Sequence, residues 1–174
     1  MSWNYSSTQY QETVKESFSR GRLAEAAFIT MANSLGYEVA IASEAQDKAE
    51  HWDVLLDGSL KVDVKAMKAF QRGGDLQDKY ICVELHGAKQ DIRGWLYGSR
   101  ADIIAFQTWY GFLLVWRKEF IKLVESQVDM DSVAYCSSDA VKKVYNRKEN
   151  EWISWIERKD IESNKCVFQI WSEF

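Results

Sequence analysis

Asp53, Asp63 and Lys65 are the residues whose types and spacing could do chemistry together. Two carboxylates placed side by side repel unless a proton or a cation comes between them. Oxygen ligands converging from neighbouring strands, with room left for water and phosphate, make the kind of site that Mg²⁺ accepts. An amine close by can offset charge on a phosphate and orient a water. Whether the three meet depends on the stretch that carries them, His51-Trp52-Asp53-Val54-Leu55-Leu56-Asp57-Gly58-Ser59-Leu60-Lys61-Val62-Asp63-Val64-Lys65. Two apolar runs flank Asp57-Gly58-Ser59, the pattern of a β-hairpin. Asp53, Lys61, Asp63 and Lys65 are odd-numbered, whereas Val54, Leu56, Val62 and Val64 are even-numbered. A strand sends alternate side chains to opposite faces, so the charges gather on one face and the apolar set on the other.

Register decides the geometry. A two-residue Asp-Gly turn would set Asp53 opposite Val62 and throw Asp63 onto the other face. A three-residue loop over Asp57, Gly58 and Ser59 pairs Asp53 with Asp63 and His51 with Lys65. A slip of one residue would expose the whole apolar set, so the three-residue register is expected.

The elements around the hairpin read as follows. An apolar stripe from about Tyr10 through Val14, Phe18, Leu23, Ala26, Ala27, Ile29, Met31 and Leu35 predicts helix, broken near Ser19-Arg20-Gly21-Arg22 and stopped by Gly36. Residues 37–42 predict a strand and residues 43–50 an acidic loop. After the hairpin come a basic connection with Arg72-Gly73-Gly74 and a strand from Tyr80 to Leu85, expected as the third strand of one central sheet. Gly94-Trp95-Leu96-Tyr97-Gly98 reads as an aromatic loop. The near-continuous apolar runs at residues 102–107 and 111–116 suit strands buried on both faces. Residues 117–126 predict an amphipathic helix, and residues 152–157 and 167–171 two late strands.

Placed on these elements, Asp53, Asp63 and Lys65 resemble the signature of the PD-(D/E)XK nuclease superfamily, in which an acid on one strand is followed by acid-x-Lys on the next. Gly21-Arg22-Leu23-Ala24-Glu25, opening an apolar helix, is similar to the first motif of the Holliday-junction-resolvase and restriction-endonuclease branches. The likeness runs from about Arg20 to Trp116. Trp52 stands where the signature has Pro, and Asp63 where Glu is commoner. The resemblance implies an α/β, restriction-endonuclease-like mixed central sheet flanked by helices. It implies hydrolysis of DNA phosphodiester bonds by a metal-activated water, with Mg²⁺ as cofactor and Mn²⁺ able to substitute. Glu25, Asp53 and Asp63 would be metal ligands with the backbone carbonyl of Val64, and Lys65 would complete the catalytic set. Junction resolvases act as dimers, so branched DNA and a homodimer belong to this reading; degradation of host DNA and a bacteriophage-type nuclease fit the same site.

Other residues have weaker warrants. Glu12 and Glu16 are rivals to Glu25, and Glu84 and His86 lie on the following strand. Lys68, Arg72, Lys89, Arg93 and Arg100 are candidates for phosphate contacts, and Trp95 and Tyr97 for stacking on bases. Each has an ordinary alternative as a solvated charge or a core aromatic.

Composition bounds the rest. With 174 residues, 47% hydrophobic and 28% charged, the chain fits a single domain with a real core, about residues 10–126, followed by an extension of the sheet or a dimer surface. The net charge of −4 argues against a general nucleic-acid coat and not against an acidic active site with a basic rim. Cys82, Cys136 and Cys166 fit no zinc spacing or disulfide framework, which points to reduced thiols in a cytoplasm. No apolar run approaches the roughly 18 residues that span a bilayer. Two readings of other classes stay open: a nuclease fold without activity or an acidic DNA mimic binding a protein partner, and an RNA-directed nuclease.

Overall fold

The computed structural model describes residues 7–86, 93–148 and 151–172. Helix α1 (Ser7–Ser34) is followed by β1 (Val39–Ile41), α2 (Glu44–Glu50) and the hairpin of β2 (Val54–Leu56) and β3 (Leu60–Lys65). Then come β4 (Tyr80–His86), α3 (Trp95–Gly98), β5 (Ile103–Thr108), β6 (Gly111–Trp116) and α4 (Arg117–Gln127). The rest is β7 (Asp129–Val133), β8 (Lys143–Lys148), β9 (Glu151–Glu157), α5 (Arg158–Glu162) and β10 (Val167–Ser172). The mixed α/β class expected from the sequence is what these elements make.

They form two mixed sheets instead of one. The first runs β1-β2-β3-β5-β6-β10, with β3 and β5 parallel and the other pairs antiparallel. The second runs β4-β9-β8-β7. The strand expected third in the central sheet, β4, therefore pairs with β9 in the second sheet, and β5 takes the place beside β3. The apolar alternation of residues 80–85 marks a half-buried strand without naming its partner.

The layers follow from which faces are apolar. Ala24, Phe28 and Ala32, each four residues apart on α1, are fully buried against Val54, Leu56, Val62 and Val64 on one face of the first sheet. The other face, through Ile104, Phe106, Leu113 and Val115, packs on Phe120, Leu123 and Val124 of α4 and on Ile81, Val83 and Ile156 of the second sheet. Residues 103–106 and 112–115 are buried throughout, as runs covered on both faces should be.

Local expectations met mixed outcomes. Helix α1 continues through Gly21, since glycine disfavours helix by only about 1 kcal/mol and blocks no backbone hydrogen bond. It stops at Gly36, at φ 88°, where Tyr37 N–H donates to Ala32 O and Gly36 N–H to Asn33 O, both at 3.0 Å. The acidic loop is helix α2: Ser43 Oγ accepts from Gln46 N–H while the Gln46 side chain accepts from Ser43 N–H, a capping box. The aromatic loop is the short helix α3. Among the described residues no helix is long and apolar enough to cross a membrane.

Candidate active site

The hairpin register is the expected one over its paired residues: Val54 opposes Val62, Leu55 opposes Lys61 and Leu56 opposes Leu60. Asp57 and Gly58 take φ values of 48° and 67°, as a tight hairpin turn requires, and Ser59 N–H closes it on Leu56 O at 3.0 Å. The ladder ends at Val54. Asp53 N–H turns to Val62 O at 2.9 Å, and its carboxylate Oδ2 accepts Val64 N–H at 2.7 Å. The expected pairings of Asp53 with Asp63 and of His51 with Lys65 are not made. His51 instead caps the end of α2 at φ 54°, and its carbonyl accepts the Ser99 hydroxyl at 2.7 Å.

Asp63 and Lys65 point to the same face of β3, where Lys65 Nζ lies 2.6 Å from Asp63 Oδ1. The Lys65 side chain is 25% exposed and that of Asp63 only 3%, so the lysine is the solvent side of the pair. The other carboxylate oxygen, Asp63 Oδ2, is buried and has no hydrogen-bond partner among the described residues. A buried carboxylate oxygen left unpartnered is costly and calls for an explanation.

Asp53 supplies the second abnormality. Burial, and then the neighbouring charge of Asp63, push its carboxyl from 3.8 up to about 7, against the opposing pull of the Val64 hydrogen bond and of Lys65. Glu25 belongs to the same electrostatic group. It is half-buried on α1, and burial and Asp47 raise its carboxyl, with Asp63 adding to the rise while Arg22 and Lys65 oppose it. Val64 lends its N–H to Asp53 and its side chain to the core under α1.

These residues fit a hard cation in part. Mg²⁺ is commonly held by one or two carboxylates, keeping waters and substrate oxygens in its other positions. The orphaned Asp63 oxygen beside a carboxyl whose proton is held up to about 7 is such a donor pair. Among the described residues no three His, Cys, Asp or Glu side chains stand together as a ready-made metal site. Glu25 thus joins the pair through its charge and not through a completed ligand cage.

The remaining candidates scatter. Trp95 lies 5.0 Å from Lys65 Nζ by its ring centroid and packs against Phe106, so it supports the lysine. Gly94 makes this possible, since a Cβ there would meet Glu84 O at 2.2 Å. The Tyr97 ring is packed on the core and its hydroxyl donates to Glu125 at 3.3 Å. Arg93 and Arg100 are exposed, with Arg100 N–H donating to Glu50 O. Lys68 and Arg72 follow β3 along a cleft wall, and Lys89 lies outside the described residues. Glu84 sits on the second sheet, where Lys68, Glu151 and Arg147 are its main charged neighbours.

Arg117 went unnoticed in the sequence. Its half-buried guanidinium donates to Ala101 O at 2.9 Å and Leu96 O at 3.0 Å. Burial lowers its proton affinity, while Asp102 and Asp63 act to raise it, so a second cation bears on Asp63. Its place at the start of an amphipathic helix carries no signal of that.

No protein-family model matches this chain, and no curated protein matches it. Among solved structures it is similar to a bacterial homing endonuclease, I-Ssp6803I, with 18% identity and a TM-score of 0.43 over 59% of this chain and 70% of that one. Likeness of that degree carries no assignment.

Proposed function

We propose that this protein is a metal-dependent deoxyribonuclease of the PD-(D/E)XK type, with Asp53, Asp63 and Lys65 at its centre. The observation that carries the reading is the buried, unpartnered Oδ2 of Asp63 beside a carboxyl held up to about 7. Asp53 and Asp63 would hold Mg²⁺ or Mn²⁺, with Glu25 and the Val64 carbonyl as further ligands. The ion, when bound, polarises the scissile phosphate and makes a nucleophilic water available at neutral pH. Lys65, on the solvent side of the acid pair, receives the phosphate and offsets the negative charge that builds on its oxygens. Asp53 gives up its proton as the cation arrives, so affinity for metal rises with pH up to about 7.

The test is cleavage of linear, circular and four-way-junction DNA in Mg²⁺ or Mn²⁺, with calorimetric titration of metal alone. Asp63→Asn and Lys65→Met, folded by circular dichroism, are expected to lose cleavage; either one retaining it overturns the assignment.

A second reading has one observation in its favour. Lys65 already satisfies Asp63 Oδ1, and among the described residues no third His, Cys, Asp or Glu stands ready as a ligand. A nuclease-like fold that binds a protein partner without cutting fits this, and predicts no heat of Mg²⁺ binding.

A further inference from the structure

A cleft of about 930 Å³, lined by none of Asp53, Asp63 and Lys65, is left unused by the catalytic reading. Its walls are α1 around Arg20, the connection at residues 68–74, and the outer face of the second sheet. We propose, resting on the nuclease reading, that this cleft binds an unpaired DNA strand and leads it to Lys65.

Continuity is the first argument. Lys68 lines both this cleft and the small recess beside Lys65 and Trp95, so one strand could pass from one to the other without leaving protein surface.

Charge is the second. The whole chain carries −4, yet among the described residues the cleft is lined by Arg20, Lys68, Arg72 and Arg147 against Glu16 and Glu151. Positive charge gathered in one concavity of an acidic protein concentrates polyanions there. Arg147 is clamped by Glu151, with Nε donating to Oε2 at 2.8 Å, and so forms part of a fixed wall. Arg20, Lys68 and Arg72 line the same cleft and are the proposed phosphate contacts.

Size and lining argue for one strand. Pockets for small ligands run to roughly 1,000 Å³, so this cleft takes a few nucleotides, and a duplex could only lie across its rim. Phe70 and Tyr145 are half-buried in its lining, with Phe70 held against Trp155 at a ring separation of 4.6 Å. Aromatic faces stack on bases of any sequence, but only on bases whose own faces are free of a neighbour. Such a cleft serves an enzyme that meets gaps, flaps or branch points.

Fluorescence anisotropy of fluorescein-labelled dT12 and of a 12-base-pair duplex, both in EDTA, tests the cleft apart from catalysis. The intact protein should bind dT12 at least about tenfold more tightly than the duplex. Arg20→Glu with Arg72→Glu, on exposed positions that leave the core alone, should weaken dT12 binding about a hundredfold. The same pair should flatten the dependence of log Kd on log salt by about 1.4, at about 0.7 per lost contact. Tyr145→Leu should weaken it about tenfold. Unchanged dT12 affinity in the double charge variant, or a duplex bound as tightly as dT12, overturns the proposal. Either result leaves Mg²⁺-dependent cleavage to be judged separately. Conversely, cleavage by Asp63→Asn would sink the catalytic reading while dT12 binding to the cleft stood.

Discussion

At each end of β3 a lysine meets a carboxylate and a tryptophan, and the two ends use them differently. At one end Lys61 pairs with Glu50 at 2.5 Å and lies 5.3 Å from the Trp52 ring; at the other Lys65 pairs with Asp63 at 2.6 Å and lies 5.0 Å from the Trp95 ring. Glu50 Oε2 accepts from both Lys61 Nζ and Trp52 Nε1, and these two hydrogen bonds hold its carboxyl below the ordinary value. Asp63 has one oxygen satisfied and one buried without a donor, next to a carboxyl raised to about 7. A charge pair whose partners are all inside the protein tethers the fold. One that leaves an acceptor over is poised for something from outside.

If that contrast is right, the largest difference between the ends is catalytic. Asp63→Asn and Lys65→Met should each lower Mg²⁺-dependent cleavage by about 10³-fold or more, in line with losing charge stabilisation in a closed site. Lys61→Met and Glu50→Gln should cleave within about twofold of the parent. Gel-based rates on one DNA substrate, with melting curves for each variant, would settle it. Equal losses at both ends would make the strand as a whole structural.

A smaller effect is expected in stability. Asp53 binds its proton more tightly folded than unfolded, so its contribution is fully present below about pH 4 and is lost as pH rises to about 7. At about 1.4 kcal/mol per pH unit the loss is at most about 4 kcal/mol. Asp53→Asn should remove this decline, and Mg²⁺ should oppose it in the parent protein above pH 7. Denaturant melts between pH 4 and 8, with and without Mg²⁺, measure both. A parent protein whose stability is flat over that window would show that Asp53 is not buried as described.

Much of this region was legible in the sequence because the alternation of residues 53–65 admits one register once a buried face is required. The shared face of Asp63 and Lys65 on β3 was readable for that reason, and so was the stop of α1 at Gly36, whereas the turn of Asp53 out of the ladder was not. The Ser43–Gln46 capping box was equally present in the residues, but the acidic run around it reads as loop when the cap is not counted. The second sheet was not legible: β4 shows a buried face, and nothing in residues 80–85 says that its partner is β9, some seventy residues on. Arg117 and the cleft beyond Lys68 share that limit, since each depends on packing between elements distant along the chain.

The smallest expected effects come from the two tryptophans, and they separate the ends most cleanly. Trp52 is 3% exposed and its indole N–H donates to Glu50 at 2.9 Å. Trp52→Phe removes that hydrogen bond to a charged group and opens a small void, which together destabilise by about 1–3 kcal/mol. Cleavage per folded molecule should not change. Trp95→Phe keeps an aromatic ring near Lys65 but a weaker one, a difference of a fraction of the roughly 0.5–2 kcal/mol that such contacts provide. Its melting point should barely move, while kcat falls a few-fold as Lys65 Nζ wanders from its place. Steady-state kinetics beside thermal melts would show the crossed pattern. If Trp95→Phe loses stability and keeps its rate, the Lys65 end is as structural as the Lys61 end, and the ammonium beside Asp63 is a tether and nothing more.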